Sequence, residues 1–213
     1  MDRAGNLQTQ APFKGSYEVG AALWSLALHR ESGWLDRGVP SANRRDCLRA
    51  LVKQAVLPAD QGGFYDPQRG LWIHALSWSH GDWVDWEEHD WKYALHMEEG
   101  ALEYLIADGG RELLVPTRRE LEYLLASTQR DGSVKGMVAT KSDIEYEYGL
   151  ALSVLALASD AFRRIDGDLA DRCLIAGARV FAFASKEFEP ESSEEHAVLL
   201  TGMARVVLAL DAN

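Results

Sequence analysis

Residues Tyr148–Ala158 read YGLALSVLALA, a run that is apolar all the way round, as a helix walled in on every side must be. The helix before it is of a different kind. After Thr117 the apolar residues Leu121, Leu124 and Leu125 keep helical spacing, while Arg118, Arg119, Glu120 and Glu122 are interleaved with them. One helix reads as inner and the other as outer. The contrast repeats in both directions along the chain. Tyr17–Leu28 (YEVGAALWSLAL) reads as inner, Asn43–Val56 (NRRDCLRALVKQAV) as outer, His89–Ile106 as inner, Gly167–Phe183 as outer and Glu194–Leu210 as inner. The sequence therefore predicts an all-α chain of about seven helices in inner and outer pairs.

The inner helices begin near residues 17, 89, 144 and 194, so the later repeats lie roughly 50 to 55 residues apart, a period expected of repeat architectures. Thr117 with Glu120, Ser142 with Glu145, and Ser192 with Glu195 each fit the capping box that opens a helix. The first repeat is longer by the segment Pro58–Glu88, which holds Gly62, Gly63, Gly70, Gly81 and most of the tryptophans. Within it, Asp66-Pro67-Gln68-Arg69-Gly70 supplies turn chemistry for a short hairpin around Phe64–Ile73; no other stretch shows a strand period. The rest of the excess reads as one long Trp-rich loop. Residues 1–213 are expected to form a single domain, with 1–15 a flexible N-terminal segment.

The chain has 213 residues, 47% hydrophobic and 26% charged, enough to bury a full-sized core. With 33 Asp and Glu against 22 Lys and Arg, its net charge of −11 repels phosphate backbones, so nucleic acid is not an expected partner. A mean hydropathy of −0.21 and no apolar run of membrane-spanning length argue against a membrane span. The first fifteen residues show no apolar signal region, and a cytoplasmic location is the expectation. Cys47 and Cys173 match no paired motif and read as small buried side chains.

At Leu121–Gly136 the sequence is LEYLLASTQRDGSVKG, a helix ending followed by Gln129, Asp131, Gly132 and Ser133. This resembles the QW-type repeat of the terpenoid cyclase and prenyltransferase α/α toroids, where a glutamine and an aromatic tie successive helices together. Val134 stands where that motif has tryptophan. Asp60–Asp66 (DQGGFYD) is similar to loops of the six-hairpin glycosidase and sugar epimerase toroids. The resemblance implies an incomplete α/α toroid, since a closed ring needs more than seven helices. It also implies that ligands enter at one end of the inner helices. It speaks to architecture over most of the chain and to motif over about 25 residues, so it carries fold further than function.

Chemistry concentrates in Leu71–Trp91 (LWIHALSWSHGDWVDWEEHDW), which holds five of the seven tryptophans, Trp72, Trp78, Trp83, Trp86 and Trp91. They alternate with His74, His80, Asp82, Asp85, Glu87, Glu88, His89 and Asp90. Tryptophan beside carboxylates suits a sugar, whose apolar face stacks on indole while its hydroxyls donate to acids, and a carboxyl pair can cleave a glycosidic bond. The same aromatics would also stabilise a carbocation, but no DxDD or DDxxD motif accompanies them. A capping loop whose tryptophans plug the ring is the structural alternative. His74, His80, Asp82 and His89 have no metal-ligand spacing, and no metal or cofactor is expected. His96, seven residues after His89, reads as a hydrogen-bonded core histidine.

Asp143–Tyr148 (DIEYEY) opens an inner helix and offers Glu145, Tyr146, Glu147 and Tyr148, although capping accounts for Glu145. Glu194, Glu195 and His196 open the last inner helix, where capping is an equal account.

The residues thus point to a carbohydrate-active toroidal enzyme, a hydrolase, lyase or epimerase, taking a small-molecule or oligosaccharide ligand. Asp85, Glu88, Asp90 and Glu147 are its candidate acids and bases. Trp78, Trp83, Trp86, Trp91, His89, Tyr146 and Tyr148 are its candidate binding residues. Two alternatives remain: an isoprenoid cyclase-like protein, and a non-catalytic helical module whose homo-oligomer completes the ring.

Overall fold

The computed structural model describes residues 13–31, 50–58, 61–73, 75–79, 82–85, 89–108, 110–137, 141–188 and 194–212. Among these, helices α1 (Ser16–Glu31), α2 (50–56), α3 (Trp91–Asp108), α4 (Leu114–Ser127), α5 (Lys141–Phe162), α6 (Gly167–Glu187) and α7 (Glu194–Asp211) carry nearly all the regular structure. Each predicted helix has a counterpart, the second over 50–56 only, since Asn43–Arg49 of its predicted range lie outside the described residues. Chain contacts divide the molecule into two compact units, 1–120 and 121–213.

In the second unit the apolar run behaves as its sequence demands. From Glu147 to Ala156 every residue of α5 is buried, between α6 and α7. Helix α6 is the amphipathic counterpart, burying Leu169, Ala170, Cys173, Ala176, Gly177, Val180 and Ala184 at helical spacing. Asp166 caps it, its side chain accepting from Leu169 N at 3.1 Å.

Glycines set the distance between the long helices. A Cβ on Gly202 of α7 would lie 2.2 Å from the Gly149 carbonyl oxygen of α5, and one on Gly149 would lie 2.6 Å from Leu199 N. Glycine costs a helix interior about 1 kcal/mol relative to alanine, so this pair is there for the close approach it permits. Nearer the helix starts, Glu145 meets His196. Because the contacts advance together along both helices, α5 and α7 run parallel.

The first unit repeats the device. Ser16 Oγ donates to Tyr93 O over 3.4 Å near the starts of α1 and α3. One turn on, a Cβ on Gly20 would fall 2.2 Å from His96 O, and one on Gly100 would fall 2.0 Å from Gly20 O. Helices α1 and α3 are therefore also parallel and also joined through facing glycines.

Two small sheets complete this unit. The predicted hairpin is formed by β2 (Tyr65–Asp66) and β3 (Leu71–Trp72). Asp66 organises its turn: Oδ1 accepts from Gln68 N at 2.8 Å and Arg69 N at 3.1 Å, and Gly70 closes it at a φ of +75°. The Trp-rich segment, read from sequence as a loop, instead supplies β4 (Ala75–Ser79) and β5 (Asp82–Asp85). They pair antiparallel, Trp78 opposite Trp83, and β1 (Phe13–Gly15) adds to the other edge of β4. So the last three residues of the expected N-terminal flexible segment are a strand.

Two capping assignments are corrected, the first because α5 starts at Lys141 and so contains Ser142. Helix α4 starts at Leu114, before Thr117, with Pro116 in its first turn. Thr117 is wholly buried inside the helix, and its hydroxyl has no hydrogen-bond partner among the described residues. Glu120 has a different use. No helix among the described residues is long and apolar enough to cross a membrane.

Candidate functional site

The hairpin places Trp72 in the core of the first unit, 1% exposed, with Tyr65 edge-on at 5.7 Å. Two glutamates meet its two N–H groups. The indole Nε1–H donates to Glu98 Oε2 of α3 over 2.7 Å, and the main-chain N–H donates to Glu120 Oε2 of α4 over 3.0 Å. Glu98 is fully buried and Glu120 is 1% exposed. Burial pushes the Glu98 carboxyl well above its ordinary range; the Trp72 bond opposes this and the charge of Glu120 adds to it. Glu98 Oε1 has no hydrogen-bond partner among the described residues.

The second oxygen of Glu120 leads outward. Oε1 lies 2.8 Å from His89 Nε2, and the imidazole, with its side chain 10% exposed, packs edge-on to Trp91 at 4.6 Å and 82°. His89 and Asp90 immediately precede α3. Asp90 Oδ1 accepts from Tyr93 N at 3.3 Å and so serves as the helix cap. Around this head of α3, Tyr17 stands 42% exposed, edge-on to Tyr93 at 5.7 Å and tilted against His96 at 6.1 Å. Burial, helped by the charge of Lys92, lowers the pKa of His96 to about 4, so it is neutral at neutral pH. Glu18 Oε2 accepts from Gly15 N at 2.6 Å and ties β1 to α1.

In the second unit, Glu145 Oε2 and His196 Nδ1 lie 3.4 Å apart at the starts of α5 and α7. Glu147 is 8% exposed, and Tyr146 is half-buried. Tyr148 has another role: it is 2% exposed, stacked on Phe183 at 5.3 Å and packed against Phe188, with its hydroxyl accepting from Val134 N at 2.9 Å. This fastens the Gln129–Val134 loop to α5. The resemblance implies a glutamine tie, but Gln129 folds back, donating Nε2–H to Ser127 O over 3.1 Å. A tyrosine from the following helix does that work.

Of the candidate residues, the structure gathers His89, Asp90 and Trp91 at the head of α3, and Tyr146, Glu147 and Tyr148 at the start of α5. Trp78, Trp83 and Asp85 lie on β4 and β5, Asp85 opposite Leu76. Trp86 and Glu88 lie outside the described residues, as do His74, His80, Ser192 and Cys47. The sequence reading did not select Glu98 or Glu120 as site residues. Glu120 fits a capping box, and Glu98 carries no motif, standing beside a second acid, Glu99, in Leu95–Leu102 (LHMEEGAL).

No protein-family model and no curated protein matches the chain. Two solved structures share its fold. One is an inactive variant, with two adjacent aspartates changed to alanine, of an alpha-1,6-mannanase of Salegentibacter sp. in complex with alpha-1,6-mannotetrose. Its TM-score is 0.67 at 12% identity over 95% of this chain. The other is a rhamnosidase from Klebsiella oxytoca with rhamnose bound, at a TM-score of 0.64 and 15% identity over 96% of this chain. Both are α/α toroids, and the fold of this chain is an incomplete α/α toroid of inner and outer helices. The chain spans 61% and 42% of their lengths.

Proposed function

We propose that the chain is a carbohydrate-active toroidal protein that binds a sugar at the head of α3. The observation that carries this reading is the cluster there. A histidine held by a buried carboxylate packs on the buried Trp91, and Tyr17 stands exposed against Tyr93 of the same helix end, after a segment dense in tryptophan. Aromatic faces stack on the apolar faces of sugars, and polar groups with fixed orientation select their hydroxyls. The two solved structures of this fold, one holding alpha-1,6-mannotetrose and one rhamnose, support the same ligand class.

The chain contains no Asp-Asp pair of the kind replaced in the mannanase variant, so other acids are put forward. With Asp90 engaged as a cap, Asp85 and Glu88 are the stronger candidates of the first unit, with Trp78, Trp83 and Trp86 as stacking surfaces, and Glu147 is the candidate acid of the second unit. Thermal unfolding with alpha-1,6-mannotetrose, rhamnose and a panel of other oligosaccharides and uronates tests the reading, followed by turnover assays. Stabilisation by at least one sugar is expected, and Asp85→Asn, Glu88→Gln or Glu147→Gln should abolish any turnover while binding persists. A panel that neither stabilises the protein nor is turned over rejects the reading.

One observation favours a second reading, a helical module that completes its ring by self-association. Helix α7 leaves Leu200, Val207, Leu208 and Leu210 between 42% and 67% exposed, a large apolar surface for one helix. Light scattering decides it: a concentration-dependent dimer supports association, and a monomer at high concentration removes it.

A further inference from the structure

We propose that the exposed flank of α7 is a docking surface for the same helix of a second copy, the two helices lying antiparallel about a two-fold axis at Ala204. The proposal rests on the self-association reading above and states which surface makes that contact.

The flank is written at helical spacing. Ala197, Leu200, Thr201, Ala204, Val207 and Leu208 are all exposed, and they recur at intervals of three and four residues, the seam that one helix presents to another. Leu200, Val207 and Leu208 stand 53%, 42% and 67% exposed. Arg205, the only charged residue between Ala197 and Leu210, lies off this seam. Helix α6 of the same unit shows what a face kept in water carries: its exposed positions include Asp168, Asp171, Arg179 and Lys186. Thr201 adds little polar cost to burial of the seam, because its hydroxyl already donates to Ala197 O over 2.8 Å.

Those properties select the occupant. A convex, uncharged helix flank gives a small polar ligand no hold, and a seam with no Lys or Arg, on a chain of net charge −11, gives anionic lipid none. What fits is a second apolar helix, and the seam matches itself. Leu200 and Leu208 stand four positions either side of Ala204, and Thr201 and Val207 stand three. A two-fold axis there sets Leu200 against the partner's Leu208 and Val207 against the partner's Thr201, with the small Ala204 at the closest approach.

Charge decides the direction. Antiparallel order places the partner's Asp211, seven positions after Ala204, near the first turn of α7, where a helix end is positive. Parallel order would gather both copies of that acid at two negative ends. The seam offers roughly 450 Å² per copy, about 900 Å² for the pair, the size of a weak and concentration-dependent contact. Helix α7 thereby gains the covering that α5 already has within the chain.

Sedimentation velocity of the full chain, from about 1 μM to about 1 mM, should show a reversible monomer–dimer equilibrium. Ala204→Glu sets two carboxylates against each other at the axis and should weaken the dimer at least about tenfold. Ser185→Glu, on the exposed face of α6, should leave it unchanged. Leu200→Glu and Leu208→Lys should each weaken it, and an equimolar mixture of the two should regain it, because antiparallel order brings the introduced charges together. All four positions are exposed, so each monomer keeps its fold, which circular dichroism checks.

A wild-type monomer at every concentration overturns the proposal together with the self-association reading. A dimer that Ala204→Glu does not weaken, or that Ser185→Glu weakens equally, overturns the α7 surface and leaves that reading standing. A mixture that stays monomeric overturns the antiparallel order. Should Ala204→Glu unfold, the two leucine variants and their mixture decide.

Discussion

Trp72 and Glu98 are joined at the centre of the first unit, the indole Nε1–H donating to Glu98 Oε2 over 2.7 Å with the acid wholly out of water. Burial holds that acid neutral well above its ordinary value of 4.5, so the folded state binds a proton that the unfolded chain releases. Its contribution is fully present below about pH 4.5 and is lost as pH rises towards the folded value. Urea unfolding midpoints of wild type and Glu98→Gln should therefore diverge in favour of the variant as pH rises. Parallel curves would mean that Glu98 is ionised in the fold.

His96 gives the opposite slope. Its folded pKa of about 4 lies below the ordinary histidine value of 6.5, so its stabilising contribution is present above pH 6.5 and is lost as pH falls towards 4. The full loss is up to about 3 kcal/mol. Replacing His96 by Gln should remove that acid-side loss, read as a flatter dependence of the urea midpoint between those pH values.

The facing glycines predict a sign that helix propensity alone gets wrong. Alanine at Gly202 places its Cβ 2.2 Å from a backbone oxygen of α5, forcing the helices apart at a cost of roughly 1–3 kcal/mol. Alanine at Gly177 of α6 meets Leu155 and Val206 at an ordinary 3.5 Å and should stabilise by up to about 1 kcal/mol. Thermal midpoints should move down for the first and up for the second.

Tyr148→Phe removes the acceptor for the Val134 N–H, which is buried, and should cost about 1–3 kcal/mol. Amide exchange at Val134 should quicken in the variant while exchange within α6 stays close to wild type. Unchanged exchange at Val134 would show that the loop is held by other contacts.

The helices and their order were legible because each buries or exposes a stripe that its own residues spell out. The run Tyr148–Ala158 needs walls on every side, and the alternating charges after Thr117 need water on one. The hairpin at Phe64–Ile73 was legible through Asp66 and Gly70, whose turn chemistry is local. The pairing of β1 with β4 was not, because the two strands lie some sixty residues apart.

The candidate site divides along the same line. Its tryptophans, His89 and Asp90 stand together in one stretch of chain, and residue type alone marks that stretch as unusual. Glu98 and Glu120 come from two different helices, and Glu120 reads locally as half of a capping box. Local chemistry set the inner and outer helices and the dense aromatic segment, since propensity, amphipathic spacing and turn residues act within a few positions. Only the tertiary fold decided which acids are buried, which nitrogen of His89 meets one, and which glycines bring parallel helices together, because burial and hydrogen bonding depend on partners distant in the chain.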